Sequence, residues 1–492
     1  MIKNLILISF ASLFLVFAFP KFSISLLAFI GFIPLFFALH NKSPKKAFLI
    51  SYLCGFLFYL GTLHWLYHVT VFGLIALSLY LGLYFGIFGF LFNRITFALR
   101  PSLFTLFLIP LIWTGLEWLQ AHLFSGFGWA LLGYSQYRNT LLIQIADFSG
   151  VYGVSFVIMM MNVAIWRSIR RTKLRSAKEK CYALPAPYPC GAGCTALYAI
   201  LILIAVYSYG FFRLNQQEID ADSVKISVIQ GNIPQEAKWD PRATDDIIKQ
   251  YTNLTRLAAF ENPDLIIWPE TSFPGFFIDD EEETASVLKL AKEIMIPILA
   301  GANTTSGLDT YNSAVLISSK GEIESEYNKI HLVPFGEYVP FSDRFPLLRR
   351  LVLGELGGFT AGHDFTLFEV KPRTANVRGL TSNMNFAALI CFEDIFPAMA
   401  RRFVQDGAEF LVVITNDAWY GKSGAAYQHA ACSVFRAIEN RVPVVRSANT
   451  GYSCFIDSKG KIYDSVEEGG SHLFITGHKT SRVTLLRNKI SN

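Results

Sequence analysis

Apolar residues crowd the part of this chain before residue 214, in runs long enough to matter to a lipid bilayer. Seven runs can be drawn, at residues 5–19, 22–39, 47–67, 69–92, 103–120, 141–166 and 195–212. Only a helix closes its own backbone hydrogen bonds in lipid, and about 20 mostly apolar residues are needed to cross the hydrocarbon. Residues 1–213 are therefore expected to form an α-helical transmembrane bundle. Composition agrees, with 52% hydrophobic and 16% charged residues over the whole chain, where soluble domains carry roughly 25% charged. Lys3 followed by an apolar run imitates a secretion signal, but Pro20-Lys21 offers no small-residue cleavage site and more runs follow.

Lysine and arginine near span ends set orientation. The heaviest basic stretch, running from Arg167 to Lys180, predicts a cytoplasmic loop near residues 167–194. The last span then carries everything after it to the outer face. Glu117 and Asp147 fall near span ends and are read as reaching the interface, although charge within a membrane is a functional hint. The small net charge of +5 says little about nucleic acid, but no stretch after residue 214 reads as a basic, aromatic-interleaved face, and that excludes nucleic-acid binding. Seven cysteines give no disulfide framework. Cys181, Cys190 and Cys194 lack the paired spacing and nearby histidine of a zinc site and read as free loop thiols.

From Ser223 the texture changes to short β-branched runs alternating with polar-faced helical stretches. Strands are predicted at residues 225–230, 265–268, 298–302, 313–318, 323–327, 387–391, 410–415 and 442–447. Helices are predicted at 244–260, with Thr244 as N-cap, at 281–295, with an acidic first turn and Pro297 as its stop, and at 397–404 and 427–440. Ser458-Lys459-Gly460 reads as a turn between two late strands. Alternation of this kind implies a layered α/β domain over residues 223–484, with 485–492 as a tail.

Reactive groups arrive where strands end: Glu270 after Leu265–Trp268, Cys391 at the end of 387–391, Asn416 and Asp417 after 410–415. Open α/β sheets put their sites at such ends. Alone, Cys391 reads as a small buried hydrophobe, Lys329 as an exposed strand lysine and Glu337 as a loop carboxylate. Glu393 and Asp394, directly after the thiol, are unusual company for an inert core cysteine.

Ile267-Trp268-Pro269-Glu270, then Asn328-Lys329-Ile330-His331-Leu332-Val333-Pro334-Phe335-Gly336-Glu337, then Ile390-Cys391-Phe392-Glu393-Asp394 together resemble the nitrilase, or carbon–nitrogen hydrolase, superfamily. With the preceding spans, Gln230–Gln235, Lys238-Trp239 and Thr415–Gly421, the whole is similar to the apolipoprotein N-acyltransferases, bacterial inner-membrane enzymes. The resemblance implies an αββα sandwich and no metal or cofactor. It implies Cys391 as nucleophile, Glu270 as general base and acid, and Lys329 as stabiliser of the tetrahedral intermediate. Glu337 and Glu393 would support them, Trp239 would help form the pocket, and Phe392 would offer its backbone N–H to the oxyanion. The implied partners are a phospholipid acyl donor, a diacylated apolipoprotein acceptor and the bilayer itself.

The chain departs from the family pattern at Phe392, where a tyrosine is expected, and at residues 487–492, which carry no apolar run where members usually have an eighth span. Two segments are expected to dip into lipid as a lid, Phe273 to Phe277 and Val339 to Phe359. Rival readings are a membrane-tethered amidase, and a transporter or receptor carrying a degenerate nitrilase-like module. The second lacks the paired mid-membrane ionisable residues that transporters use.

Overall fold

A computed structural model describes residues 2–98, 103–178, 192–216, 222–340, 358–373 and 383–485. The chain divides into two compact units, the first holding Met1–Gln216 with Ser423–Gln428, the second the remainder.

The first unit is helical: α1 (Ile2–Ala18), α2 (Ile33–Leu39), α3 (Pro44–Thr62), α4 (Val71–Ala98), α5 (Leu103–His122), α6 (Thr140–Ile143), α7 (Ala146–Lys178) and α8 (Ala192–Asn215). Among the described residues, four stretches are long and apolar enough to cross a membrane: Val71–Ala98, Phe104–His122, Ala146–Arg170 and Thr195–Asn215. The first two expected runs fold as shorter apolar helices, and the second is broken into a turn at Ser25–Phe29 and α2. Asn162 repairs that break, accepting from the Phe32 N–H at 2.9 Å and donating to the Ala28 carbonyl at 2.8 Å. On α4, Ile75, Leu79, Leu83 and Ile87 form an exposed apolar stripe at four-residue spacing. A helix that is apolar on its outer face as well as its inner one is suited to lipid rather than water. Inside, Phe32 stacks on Phe85 and meets the edge of Trp113.

Two expectations change here. Glu117 does not reach outward: it is buried and accepts the Leu132 N–H at 2.6 Å. Asp147 accepts from Tyr209 Oη and pairs with Arg213 at 3.0 Å, tying α7 to α8. The basic stretch from Arg167 begins on α7, which runs to Lys178, while residues 179–191, with Cys181 and Cys190, lie outside the described residues.

The second unit holds two six-stranded sheets. The strands are β1 (Asp222–Gln230), β2 (Leu265–Ile267), β3 (Ile298–Ser306), β4 (Asp309–Ile317), β5 (Ile323–Asn328), β6 (Phe368–Val370), β7 (Met384–Ile390), β8 (Phe410–Thr415), β9 (Val444–Ala448), β10 (Cys454–Ile456), β11 (Ile462–Ser465) and β12 (Gly477–Leu485). The first sheet runs β12-β1-β2-β3-β4-β5 and the second β11-β10-β9-β8-β7-β6. β1, β2 and β3 are parallel, as are β7, β8 and β9. These central strands are buried on both faces, which is why β2 and β8 read as nearly continuous apolar runs instead of alternating.

Helices α9 (Thr244–Ala259) and α10 (Glu281–Ile294) cover the first sheet, their apolar faces closing one core with Ile266, Trp268, Ile298 and Val315. Trp268 stacks on Tyr251 and donates its indole N–H to Thr255 Oγ1 at 2.9 Å, so its burial leaves no orphaned polar atom. The sheets meet through Ser447 of β9, whose hydroxyl lies 3.0 Å from the Ile229 carbonyl and 3.2 Å from that of Ile267. Helix α11 (Pro397–Gln405) follows β7, and α12 (Ala425–Asn440) packs on the second sheet through Ser433 and Arg446. The layered α/β sandwich expected from the sequence is the fold found.

Several details differ. Thr244 is already helical and Ala243 occupies the cap position. Met295, in the left-handed conformation, ends α10 before Pro297 is reached. β12 went unpredicted, yet pairs antiparallel with the full length of β1. Phe273 and Phe277 are buried in the core beside α9 and α10, so that segment is not a lid, although Phe276 is 37% exposed. Of the second lid segment, residues 341–357 lie outside the described residues, as do residues 486–492.

Candidate active site

Three strand ends deliver the reactive groups. β2 passes into Trp268-Pro269-Glu270, β7 into a tight turn opened by Cys391, and β8 into Asn416-Asp417. Gly301 of β3 lets the Glu270 segment lie close: a Cβ there would fall 2.3 Å from the Pro269 carbonyl oxygen and 2.6 Å from Glu270 Cα. The Gly301 carbonyl then accepts from the N–H groups of Ser272 and Phe273, fixing the chain just beyond the glutamate.

Glu270 is 6% exposed, and both of its oxygens are engaged. Oε1 accepts from Asn312 Nδ2 at 2.8 Å and lies 3.6 Å from Lys329 Nζ, and Oε2 accepts from the Asn416 backbone N–H at 2.8 Å. Lys329, expected alone to be an exposed strand lysine, is 1% exposed. Its ammonium donates to Glu337 Oε1 at 2.8 Å. Burial opposes that charge, but Glu337 and then Glu270 outweigh it and hold Lys329 above the ordinary lysine range. Asn312 also donates to Glu337, at 3.0 Å, so one amide aligns both carboxylates beside one ammonium.

Cys391 is buried and adopts a left-handed φ of 52°. A non-glycine residue in that region is uncommon and marks a position held by its surroundings. Burial pushes the thiol pKa well up. The nearby charges of Glu270 and Asp417 push it further, while Lys329 and a hydrogen bond with Thr415 oppose. The resting group is therefore a thiol that feels both Glu270 and Lys329.

Glu393 is a brace. Oε1 accepts from Tyr327 Oη at 2.9 Å and from the N–H groups of Ile330 and His331 at 2.8 and 3.0 Å, and Oε2 accepts from the Ile390 N–H at 2.8 Å. One carboxyl group thus ties the segment bearing Lys329 to the strand that ends in Cys391. Burial raises its pKa to about 7 against the pull of these donors. Phe392 is buried, with its ring beside His331 and edge-on to Phe396. Trp239 stands 40% exposed, while its neighbour Lys238 turns inward, donating to the Glu270 carbonyl at 3.1 Å and Thr271 Oγ1 at 3.0 Å. Burial brings Lys238 down to about 7, with Glu270 and Cys391 opposing the shift.

Glu270, Lys329, Glu337, Cys391 and Glu393 therefore come together as the motifs suggested. Sequence reasoning missed Asn312, gave Lys238 no role, and passed over His429, which contacts the Cys391 backbone. None of these carries a local signal: each is a polar residue whose importance appears only once strands far apart in sequence are placed side by side. Cys54, Cys391, Cys432 and Cys454 are buried free thiols.

Residues 11–164 match the apolipoprotein N-acyltransferase N-terminal domain, and residues 225–487 match the carbon-nitrogen hydrolase domain. An apolipoprotein N-acyltransferase of Geobacter metallireducens is 40% identical over 461 residues, covering 90% of this chain and 83% of that protein. That of Chlorobaculum tepidum is 31% identical over 475 residues, covering 90% and 84%. Among solved structures, a mutant amidase of the nitrilase superfamily from Nesterenkonia AN1 aligns with a TM-score of 0.39 at 15% identity, over 53% of this chain and 90% of that one. Two domain matches in the right order, with relatives that align along most of their length, place this chain in the apolipoprotein N-acyltransferase family.

Proposed function

We propose that this enzyme moves an acyl chain from a phospholipid to the α-amine of the N-terminal diacylglyceryl-cysteine of apolipoproteins, through a thioester on Cys391. The observation that carries the reading is the convergence of Glu270, Lys329 and a buried Cys391 at strand ends, in a chain whose first unit has membrane-length apolar helices. Seven spans, a bacterial inner-membrane location and an α/β unit on the outer face complete the proposal.

Glu270 takes the thiol proton as sulfur attacks the ester carbonyl. The C–O bond to the glycerol breaks, and the lysophospholipid oxygen leaves with that proton. The acceptor α-amine, with a free pKa of about 7.7–8.0, then attacks the thioester as the neutral base. Its proton passes through Glu270 to the departing sulfur, which restores the thiol. Splitting one acyl transfer into two steps suits a thiol, because the thioester is a good acyl donor to nitrogen. Each step places negative charge on the carbonyl oxygen. Lys329 has three N–H donors, with one on Glu337 and one toward Glu270, so one is left for that oxyanion. The Phe392 backbone N–H is its proposed companion, and Trp239 lines the approach. A donor of this kind is worth about 2.7–4 kcal/mol.

The membrane unit gives such a reaction its access. Each methylene drawn from lipid into water costs roughly 0.8 kcal/mol, so the thiol must meet its lipids at the interface. Intact-mass analysis of the full chain after incubation with phospholipid vesicles tests the reading. An acyl adduct on Cys391 is expected, labile to hydroxylamine, absent from Cys391→Ala, and discharged onto a diacylglyceryl-cysteine peptide. Transfer by a chain that never gains the adduct would overturn the covalent route. Release of free fatty acid with no acylated peptide would favour a hydrolase.

A further inference from the structure

His429 lies on α12, away from every motif that drew attention to the site, and it is fully buried. Its Nδ1 lies 2.9 Å from Asp417 Oδ1, and its Nε2 lies 3.1 Å from the backbone carbonyl oxygen of Cys391. A carbonyl oxygen can only accept, and an ionised carboxylate can only accept, so both ring nitrogens carry hydrogen and the ring is an imidazolium. Asp394 Oδ1 lies 2.9 Å from the same Nε2, an ionic contact beside the bond to the Cys391 carbonyl.

The surroundings fix the charge. Arg446 of β9 pairs with Asp394 at 3.0 Å and with Asp417 at 3.4 Å, and Ser433 of α12 also donates to Asp394. Two carboxylates thus face two cations. Burial and Arg446 oppose the imidazolium, but Asp394 and Asp417 raise its pKa to about 9. The cluster is closed beside Asp417, where a Cβ on Gly451 would fall 2.1 Å from Oδ2. At the other end of the Nε2 bond is the one residue that must hold a thiol in an uncommon backbone conformation, Cys391 at φ 52°.

Resting on the proposed role of Cys391, we infer that His429 is a positioning residue: a charged imidazolium, anchored by Asp417 and balanced by Asp394 and Arg446, that fixes the Cys391 carbonyl and so aims the thiol at the acyl carbon. The bond can hold the turn because the imidazolium cannot rotate without stranding Asp417. It makes the strained φ at Cys391 a property of α12 as well as of β7.

Removing His429 alone leaves two buried carboxylates against Arg446, and that variant is open to simple misfolding. The informative variant is His429→Leu with Asp394→Asn, which keeps the buried charge balanced, one carboxylate to one guanidinium, and removes the donor to Cys391 together with the ionic contacts of His429 and Asp394. With the full chain in detergent and a phospholipid donor, Cys391 acylation is expected to slow about 10²-fold in kcat, with KM for the phospholipid unchanged, as for a misplacement of roughly 1 Å. Hydrogen exchange of the Ile390–Phe396 amides is expected to quicken at least tenfold while amides of α9 and α10 keep their protection. His429→Gln with Asp394→Asn, which restores an N–H without charge, should recover part of the rate. Acylation within about threefold of the unaltered chain, or unchanged exchange in the turn, overturns the inference. If the unaltered chain itself gains no adduct, the catalytic reading of Cys391 fails, and the exchange measurement alone decides whether His429 holds the turn.

Discussion

The α/β unit buries two ionic clusters on either side of Cys391, and they treat charge in opposite ways. Asp394 and Asp417 face Arg446 and His429, two anions against two cations, in a site whose ionic side chains are at most 2% exposed. Glu270 and Glu337 face Lys329 alone, with Lys238 brought by burial to about 7 beside a thiol whose pKa is raised. The first cluster has no proton to spare: moving one would strand a buried charge, a loss of several kcal/mol. The second sets a thiol, two carboxylates and two lysines side by side without that one-to-one pairing. Enzymes place strongly perturbed groups where chemistry needs them, but structural networks perturb pKa values as well. The difference lies in whether the charges cancel: they do around Arg446 and His429, and they do not around Lys329.

The sharpest break would come at Glu270. Glu270→Gln keeps the shape but removes the base, and its amide must now set an N–H against either Asn312 Nδ2 or the Asn416 N–H. A fall of about 10²–10⁴-fold in the rate of Cys391 acylation is expected, with the thermal transition shifted by only a few degrees, measured by single-turnover mass analysis and calorimetry. Acylation at near the unaltered rate would mean that another group takes the thiol proton, and Lys238 would be the first candidate.

Lys329→Met asks whether the reactive cluster is also structural. It leaves buried Glu270 and half-buried Glu337 with no ammonium between them, a change expected to destabilise by about 3–5 kcal/mol. Lys329→Met with Glu337→Gln leaves a single carboxylate, and much of that stability should return. Acylation should stay depressed by about 10²–10³-fold, because the oxyanion donor is still missing. Recovery of rate together with stability would reduce Lys329 to a counter-ion and erase the contrast between the clusters.

Much of this contrast was legible before any fold was known, and the part that was not has a physical reason. Glu270 and Cys391 follow contiguous apolar strings that stop abruptly at polar groups, a local pattern that one strand end is enough to display, while Lys329, behind a polar strand, was legible only through its motif. Glu393 was found because it lies two residues from the thiol. Asn312, His429 and Arg446 come from β4, α12 and β9, and their meaning depends on sheet order and on which face of each element turns inward. β12 was missed for a related reason: its polar outer face hides the alternation, and it pairs with β1 across most of the unit. The lid reading of Phe273 to Phe277 failed because an aromatic cluster looks the same whether it faces lipid or core, and only the placement of α9 and α10 decides.

The smallest expected effect is a slope in stability with pH. His429 has its folded pKa raised from 6.5 to about 9. Below pH 6.5 the imidazole is protonated in both the folded and the unfolded chain, and its contribution to stability is complete. From there to about pH 9 the unfolded chain sheds the proton first, so the contribution shrinks, and above about 9 it is gone. Lys238 runs the other way, its folded pKa lowered from 10.5 to about 7, so it adds stability as pH rises through that interval and masks His429 in the unaltered chain. The comparison must therefore be a difference. The gap in Tm between the unaltered chain and the variant carrying His429→Leu and Asp394→Asn should be largest near pH 6 and should narrow by roughly 5–10 °C near pH 9.5. Lys238 is common to both chains and cancels. A gap that stays constant across the interval would show that the ring is neutral in the fold, and the charge-balanced cluster would then be no different in kind from the reactive one beside it.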